Sequence, residues 1–185
     1  MIDAAAAVFA RLGYDRARMS DIVQASGLSK GAVYFYFDSK ESLAVAVLAS
    51  RQEQWITGVA QLLAAAEPGL PRLRALLPAM LTLHRRDPDA WVIARLSQTL
   101  AQTEATRDVA AASMRRWIDL VAEVISSADP PEGTDPRDLA RVVVGAFDGL
   151  KTLIDIVGED PASVQHELAR AGALLERMLI ATISR

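Results

Sequence analysis

Apolar residues recur along this chain at intervals of three and four, and no stretch alternates regularly enough to read as a strand. Ile2, Ala5, Phe9 and Leu12 share one face of a first helix. Gly13 stops it, because glycine accepts the left-handed backbone at a helix end. A second, short helix carries Ile22 and Val23 and ends at Gly27. A third runs from about Lys30 to Tyr36, with Ser29 placed to cap it. Ser39 opens a fourth, which continues to about Ala66. Pro68, Gly69 and Pro71 start a fifth, with Pro78 as a kink inside it. Asp87-Pro88 separates the fifth from a sixth. A long seventh helix spans about Glu104 to Ala128 and stops before Pro130-Pro131. Thr134-Asp135-Pro136 opens the eighth, with a cap followed by proline in the first turn. Gly158 ends it, and Asp160-Pro161 opens the last. The pattern predicts an all-α fold without repeats or low-complexity segments.

The last two helices carry more apolar surface than one partner can cover. Leu139, Val143, Ala146, Leu150, Leu153 and Val157 form one stripe on the eighth, with Val142, Phe147 and Ile154 lying off it. Val164, Leu168, Ala171, Leu175 and Met178 form a stripe on the ninth. A helix that is apolar on two faces needs one partner inside the molecule and one outside. The expectation is a four-helix interface between two copies of the chain, made by Leu139, Val143, Ala146 and Leu150 with Val164, Leu168, Leu175 and Met178. The competing reading is burial of both faces within one monomer.

Composition narrows the chemistry. The chain has 185 residues, of which 51% are hydrophobic, enough to build a substantial core. It has no cysteine, so disulfides, thiolate metal sites and cysteine nucleophiles are excluded. No apolar run approaches the roughly 18 residues of a membrane span. The N-terminus lacks the basic segment of a secretion signal, which predicts a cytoplasmic protein. The net charge is −3, so any contact with nucleic acid must come from a local patch. Residues 1–51 carry six basic and five acidic side chains, and the remainder carries fourteen against eighteen. The positive excess is small, but it lies at the front.

The segment from Asp21 to Lys40, DIVQASGLSKGAVYFYFDSK, reads as a helix-turn-helix around Gly27. In such a unit the second helix enters the major groove and the first lies across the backbone. Ser29 and Lys30 stand at the start of the recognition helix, where free amides favour phosphate. Gly31 permits close approach, and Ala32 is small enough to meet a thymine methyl. Tyr34 and Tyr36 combine a ring with a hydroxyl, while Val33 and Phe37 face back into the core. Lys40 is placed to hold a second phosphate. A glycine-bounded pair of short helices is weak evidence alone, and the aromatic run could be core. Yet Tyr34, Phe35, Tyr36 and Phe37 point in different directions on a two-turn helix, so they cannot all be buried.

With these residues in view, the chain resembles the TetR family of repressors. The motif is Phe9 to Tyr14 closing the first helix, then Asp21 to Glu41 across the helix-turn-helix, and the match covers about residues 2–48. The resemblance implies a DNA-binding domain over residues 1–48 and a helical ligand-binding and dimerisation domain over 49–185. It further implies a homodimer that blocks a palindromic operator and leaves it when a small molecule binds. Asp87-Pro88, Ala94-Arg95-Leu96-Ser97, Trp117 and DPRDLARVVVGAFDGL at 135–150 are similar to the γ-butyrolactone autoregulator receptors within that family.

Two positions depart from the family pattern. Arg18 stands where the second helix usually has a Thr or Ser cap. Arginine cannot accept a hydrogen bond, although it can meet phosphate, and Ser20 is then the expected cap. The chain also begins almost inside its first helix, where relatives carry a basic stretch. Either the start is truncated or those phosphate contacts are missing, which would weaken binding and flatten its salt dependence.

For the ligand the candidates are apolar: Trp117 foremost, with Trp91, Met80, Leu120 and Phe147, and beyond them Trp55 and Leu83. Gln98, Thr82 or Asp148 would supply polar points. Each of these is also an ordinary core residue. No cofactor or metal is expected. Among other functions, an enzyme is disfavoured, because no nucleophile elbow, metal-spaced cluster or phosphate loop is present. His84 and His166 read as solvated surface residues. A helical ligand-binding or interaction module with weakened DNA binding is a second alternative, and an activator is a third.

Overall fold

Short capping devices set where several of the helices begin and end. The computed structural model describes residues 1–86, 92–157 and 160–184. Among them the helices are α1 (Ile2–Leu12), α2 (Met19–Ser26), α3 (Lys30–Tyr36), α4 (Lys40–Leu63), α5 (Leu70–Arg86), α6 (Val92–Leu100), α7 (Glu104–Ser126), α8 (Pro136–Val157) and α9 (Pro161–Ile183). Trp91 and the Asp87-Pro88 and Gly158 breakers lie outside the described residues.

The Ser29 hydroxyl accepts the Ala32 amide at 3.2 Å and starts α3. Ser39 accepts the Ser42 amide at 3.0 Å, while the Ser42 hydroxyl accepts the Ser39 amide at 3.3 Å, a reciprocal cap at the head of α4. Asp160 accepts the Ala162 and Ser163 amides at 2.9 and 3.0 Å and opens α9. Gly27 closes α2 with φ 67 and ψ 7, the left-handed conformation expected of it. Gly13 is different. Its φ is 74 but its ψ is 161, a region open almost only to glycine, so α1 ends in an abrupt turn rather than a left-handed cap.

At α2 the expected cap is corrected. Ser20 lies within the first turn, not before it, and Arg18 occupies the cap position. The device that works there is the reverse half of a capping box: the Asp21 carboxylate accepts the Arg18 amide at 2.9 Å. Two other helices stop earlier than their apolar pattern suggests. α4 ends at Leu63 and α7 at Ser126, each followed by a tighter i to i+3 bond (Ala66 to Leu63, Ala128 to Ile125).

The helices gather into two compact units. The first comprises residues 1–55 with 87–115, the second 56–86 with 116–185. The division by packing thus differs from the expected boundary at 48/49, because α6 and the first half of α7 join the N-terminal helices. In the first unit Ala5, Phe9, Ile22, Leu43, Val47, Leu48, Leu96 and Leu100 form a continuous buried cluster. It holds α1 and α2 in fixed register with the start of α4. In the second unit Leu73, Leu76, Leu77 and Met80 of α5, Val143, Val144 and Phe147 of α8, and Leu168, Leu175 and Leu179 of α9 are buried. α9 packs against both α5 and α8. Gly172 of α9 faces α5, where a Cβ would lie 2.9 Å from the end of the Leu81 side chain.

Candidate nucleic-acid interface and ligand core

The recognition helix has one anchored side and one free side. Val33 is fully buried and Phe37 is half-buried against the first unit's cluster. Ser29, Lys30, Gly31, Tyr34, Phe35 and Tyr36 are exposed, and Ala32 is half-buried. Phe35 is 81% exposed and Tyr36 69%, side by side on the outward face of the helix. The two rings meet edge to face, 5.2 Å between centroids. The Lys30 ammonium lies 5.7 Å from the Tyr34 ring centroid, a cation–π contact that keeps both at the helix start.

Between α2 and α3 the surface forms a cleft of about 470 Å³, lined by Arg18, Met19, Ser20, Val23, Gln24, Lys30 and Tyr34. The structure therefore brings Arg18, Lys30 and Tyr34 together. Gln24 was not anticipated there. Its signal was the polar face of α2, which periodicity marks as outward but does not mark as facing the groove.

Lys40 is corrected. Its ammonium donates to the Tyr14 carbonyl at 2.8 Å and the Asp15 carbonyl at 3.3 Å, and sits 4.3 Å from the Tyr14 ring centroid. It clamps the α1–α2 turn instead of standing free for phosphate. The Tyr14 ring in turn packs on Phe9, 5.9 Å between centroids.

In the second unit Trp117, Met80 and Phe147 are buried, at 5%, 1% and 4% exposure. Leu120 instead lines an open cleft of about 290 Å³ with Ala60, Leu63, Ala64 and Val124, edged by Arg72, Glu123 and Ser127. Gln98 is exposed, and Thr82 accepts a bond from Arg85 at 3.2 Å. His84 is not the solvated residue expected. It is half-buried, its ring edge-on to Phe147 at 6.4 Å between centroids. His166 is exposed, as read.

Asp148, beside Phe147 on α8, is the titratable group this core perturbs most clearly. Burial pushes its carboxyl up from the usual 3.8 to about 6. The folded state thus holds the proton more tightly than the unfolded chain. Stability falls as pH rises from about 4 to 6, and the full penalty stands at pH 7. Asp148→Asn is expected to stabilise the protein at pH 7.5 by roughly 1–2 kcal/mol, discounted for the partial exposure of the side chain. The gain should vanish near pH 4, and paired thermal melts at the two pH values check it.

The outward face of this unit also needs a correction. Val143, Leu168 and Leu175, expected at an interface with a second copy, are buried within the chain's own core. Leu139, Ala146, Leu150 and Val164 are half-buried, and Met178 is 60% exposed. The exposed apolar residues are Val142, Leu153, Ile156 and Val157 on α8 and Leu174 and Met178 on α9. Leu153, Val157 and Met178 fall on the expected stripes, whereas Val142, Ile156 and Leu174 each lie one residue before a stripe position. Gly145 and Gly149 share this face, and a Cβ on either would meet nothing within 4 Å.

A helix-turn-helix with a cation-lined cleft and an aromatic recognition helix defines a protein that lies on duplex DNA. Comparison with known proteins agrees. The family model for bacterial regulatory proteins of the tetR family matches residues 1–47. An HTH-type transcriptional repressor of Mycobacterium tuberculosis is 30% identical over 166 residues, covering 77% of this chain and 87% of that one. The transcriptional activator FasR of Mycolicibacterium smegmatis is 29% identical over 140 residues, covering 76% of this chain and 64% of its own. The A-factor receptor protein of Streptomyces griseus is 48% identical, but over only 48 residues, 26% of this chain and 17% of the receptor.

The chain therefore belongs to the tetR family of bacterial regulatory proteins, and its helix-turn-helix is the part such a regulator lays on DNA. Among solved structures, the regulator FadR from Bacillus subtilis with stearoyl-CoA superposes with a TM-score of 0.80 at 20% identity, covering 98% of this chain and 97% of that one. A structure solved to explain control of antibiotic production by bacterial hormones gives 0.77 at 26%, covering 98% and 94%. The likeness to the A-factor receptor spans 48 residues, whereas the structure solved for the bacterial hormones is alike over 98% of this chain. Among the described residues no helix is long and apolar enough to cross a membrane.

Proposed function

We propose that the chain is a homodimeric repressor that occupies a palindromic operator and leaves it when an apolar-chain small molecule enters its C-terminal helical domain. Residues 1–48 act on DNA, and the protein works in the bacterial cytoplasm without catalysing a reaction. The observation that carries the reading is α3. One side chain, Val33, is fully buried, while Lys30, Tyr34, Phe35 and Tyr36 stand out from the same two turns. Arg18 and Lys30 meet phosphates on either side of the cleft, and the aromatic face enters the major groove.

Dimerisation is supported by the exposed apolar face of α8 and α9. A second copy related by a two-fold axis brings the same face of each chain together, the usual geometry of a homodimer interface. Gly145 and Gly149 fit that arrangement. Each costs a helix interior roughly 0.5–1 kcal/mol relative to alanine. Nothing in the chain itself requires either, whereas close approach of a partner helix does.

An apolar ligand is supported by Trp117, Met80 and Phe147, with Leu120 at the nearby cleft and Asp148 as the polar point. It is also supported by the B. subtilis relative's stearoyl-CoA. A ligand shifts the DNA equilibrium only as far as it prefers the released conformation. The second reading, an activator, is favoured by the likeness to FasR. The protein–DNA chemistry is the same in both, since the sign depends on where the operator lies.

Selection from a pool of random duplexes tests the proposal. It should enrich inverted half-sites whose centres lie roughly 10 base pairs apart. Adding stearoyl-CoA as the first probe should weaken binding by about 5- to 150-fold. Enrichment of single, non-inverted sites would contradict the dimeric reading. No enrichment at all would contradict DNA reading.

A further inference from the structure

The composition of α3 limits what it can read. Arg and Lys pair with guanine, Asn and Gln with adenine, and Asp and Glu with cytosine. The helix, Lys30-Gly31-Ala32-Val33-Tyr34-Phe35-Tyr36, contains Lys30 and none of the others. Lys30 is held over the Tyr34 ring, and the Ser29 hydroxyl is engaged by the Ala32 amide. The most exposed of the helix's large hydrophobic side chains is Phe35, at 81%, and it has no polar atom. A phenyl ring cannot pair with a base edge. In the major groove it gains by covering the one apolar group there, the 5-methyl of thymine.

We propose that Phe35 is the principal sequence-reading side chain of this regulator, and that it reads thymine methyl groups in each half-site. The ring is placed for this. It projects outward one residue after Tyr34 and is braced edge-on by Tyr36 at 89°, so it enters the groove as a fixed wedge. Ala32 adds a smaller apolar contact on the same helix. Discrimination thus rests on shape and methyl burial more than on hydrogen bonds, and the preferred half-site carries adjacent thymines where Phe35 docks. The inference rests on the DNA-binding reading above and specifies what that surface recognises.

The test uses the full chain and the duplex obtained by selection. Each thymine is replaced in turn by deoxyuridine, which keeps the pairing and the groove's hydrogen-bonding pattern and removes only the methyl. At one or two positions per half-site the replacement should weaken binding about fourfold, the equivalent of one buried methylene, and about 16-fold when made symmetrically in both half-sites. Phe35→Ala should bind the thymine duplex no better than the uracil one at those positions, while its melting temperature stays unchanged. Phe35→Leu should restore part of the preference. Retained thymine preference in Phe35→Ala, or no effect of uracil on the unaltered protein, overturns the assignment while leaving operator binding intact. Failure to select any duplex overturns the DNA reading itself, and this proposal with it.

Discussion

Leu153→Glu combined with Met178→Glu is expected to turn the protein into a monomer and to weaken operator binding by about 10²–10⁴-fold. Both side chains stand on the outward face of the second unit, 62% and 60% exposed. Neither belongs to the chain's own buried core, so helix content should hold. In a two-fold dimer each substitution is repeated, and four carboxylates meet across one apolar surface. A desolvated, unpaired charge is far more costly than the methylene contact it replaces. The loss at the operator follows from geometry. A dimer that has docked one recognition helix presents the second at high effective concentration, and a monomer must bind each half-site independently. Sedimentation velocity at micromolar concentration reads the first effect, and anisotropy on the selected duplex reads the second. A dimer that survives the double substitution with its DNA affinity unchanged would place the interface elsewhere.

Phe9→Ala is expected to destabilise the first unit by about 3–5 kcal/mol. Phe9 is 1% exposed and sits in the cluster that joins α1, α2, α4 and α6. Its ring also supports Tyr14, on whose other contacts Lys40 depends. Deleting it leaves a cavity beneath the α1–α2 turn and loosens the clamp made by the Lys40 ammonium on the Tyr14 and Asp15 carbonyls. Operator binding should fall as well, although Phe9 is too deeply buried to touch DNA. Phe9→Leu, which keeps most of the volume, should cost less than about 1.5 kcal/mol. Urea denaturation followed by far-ultraviolet dichroism compares the variants. Equal midpoints for Phe9→Ala and the unaltered chain would contradict the packing account.

Much of this architecture was legible before the structure. Helix boundaries were marked by Gly27, Ser29, Ser39 and the Asp-Pro pair at 160–161, each with its own backbone chemistry, and they fall where those residues place them. The recognition helix was legible because four successive aromatics cannot all be buried. Its inward member, Val33, and its outward rings follow from helical period alone.

The phase of α8 was not legible. Val143, Phe147 and Ile154 are about as apolar as Val142, Leu153 and Ile156, so periodicity shows two apolar faces without saying which the chain covers itself. That depends on α5 and α9, which pack together at Gly172, a contact between residues distant in sequence. Lys40 was misread for a related reason. A lysine beside a recognition helix points equally well to phosphate or to a carbonyl, and only the abrupt turn at Gly13 brings the Tyr14 and Asp15 carbonyls within its reach. Charges flank His84 in sequence and predict a solvated ring, whereas the helix turns it onto Phe147.

The most direct test of the central claim is a titration of the chain on its selected duplex and on a scrambled duplex, followed by anisotropy across a salt series. The account predicts two chains per duplex and a preference of about 10³-fold or more for the inverted repeat. Affinity for both duplexes should fall as salt rises, because Arg18 and Lys30 displace counterions. Equal affinity for the two duplexes at every salt concentration would show a protein that meets DNA only through charge, and would contradict its reading as an operator-specific regulator.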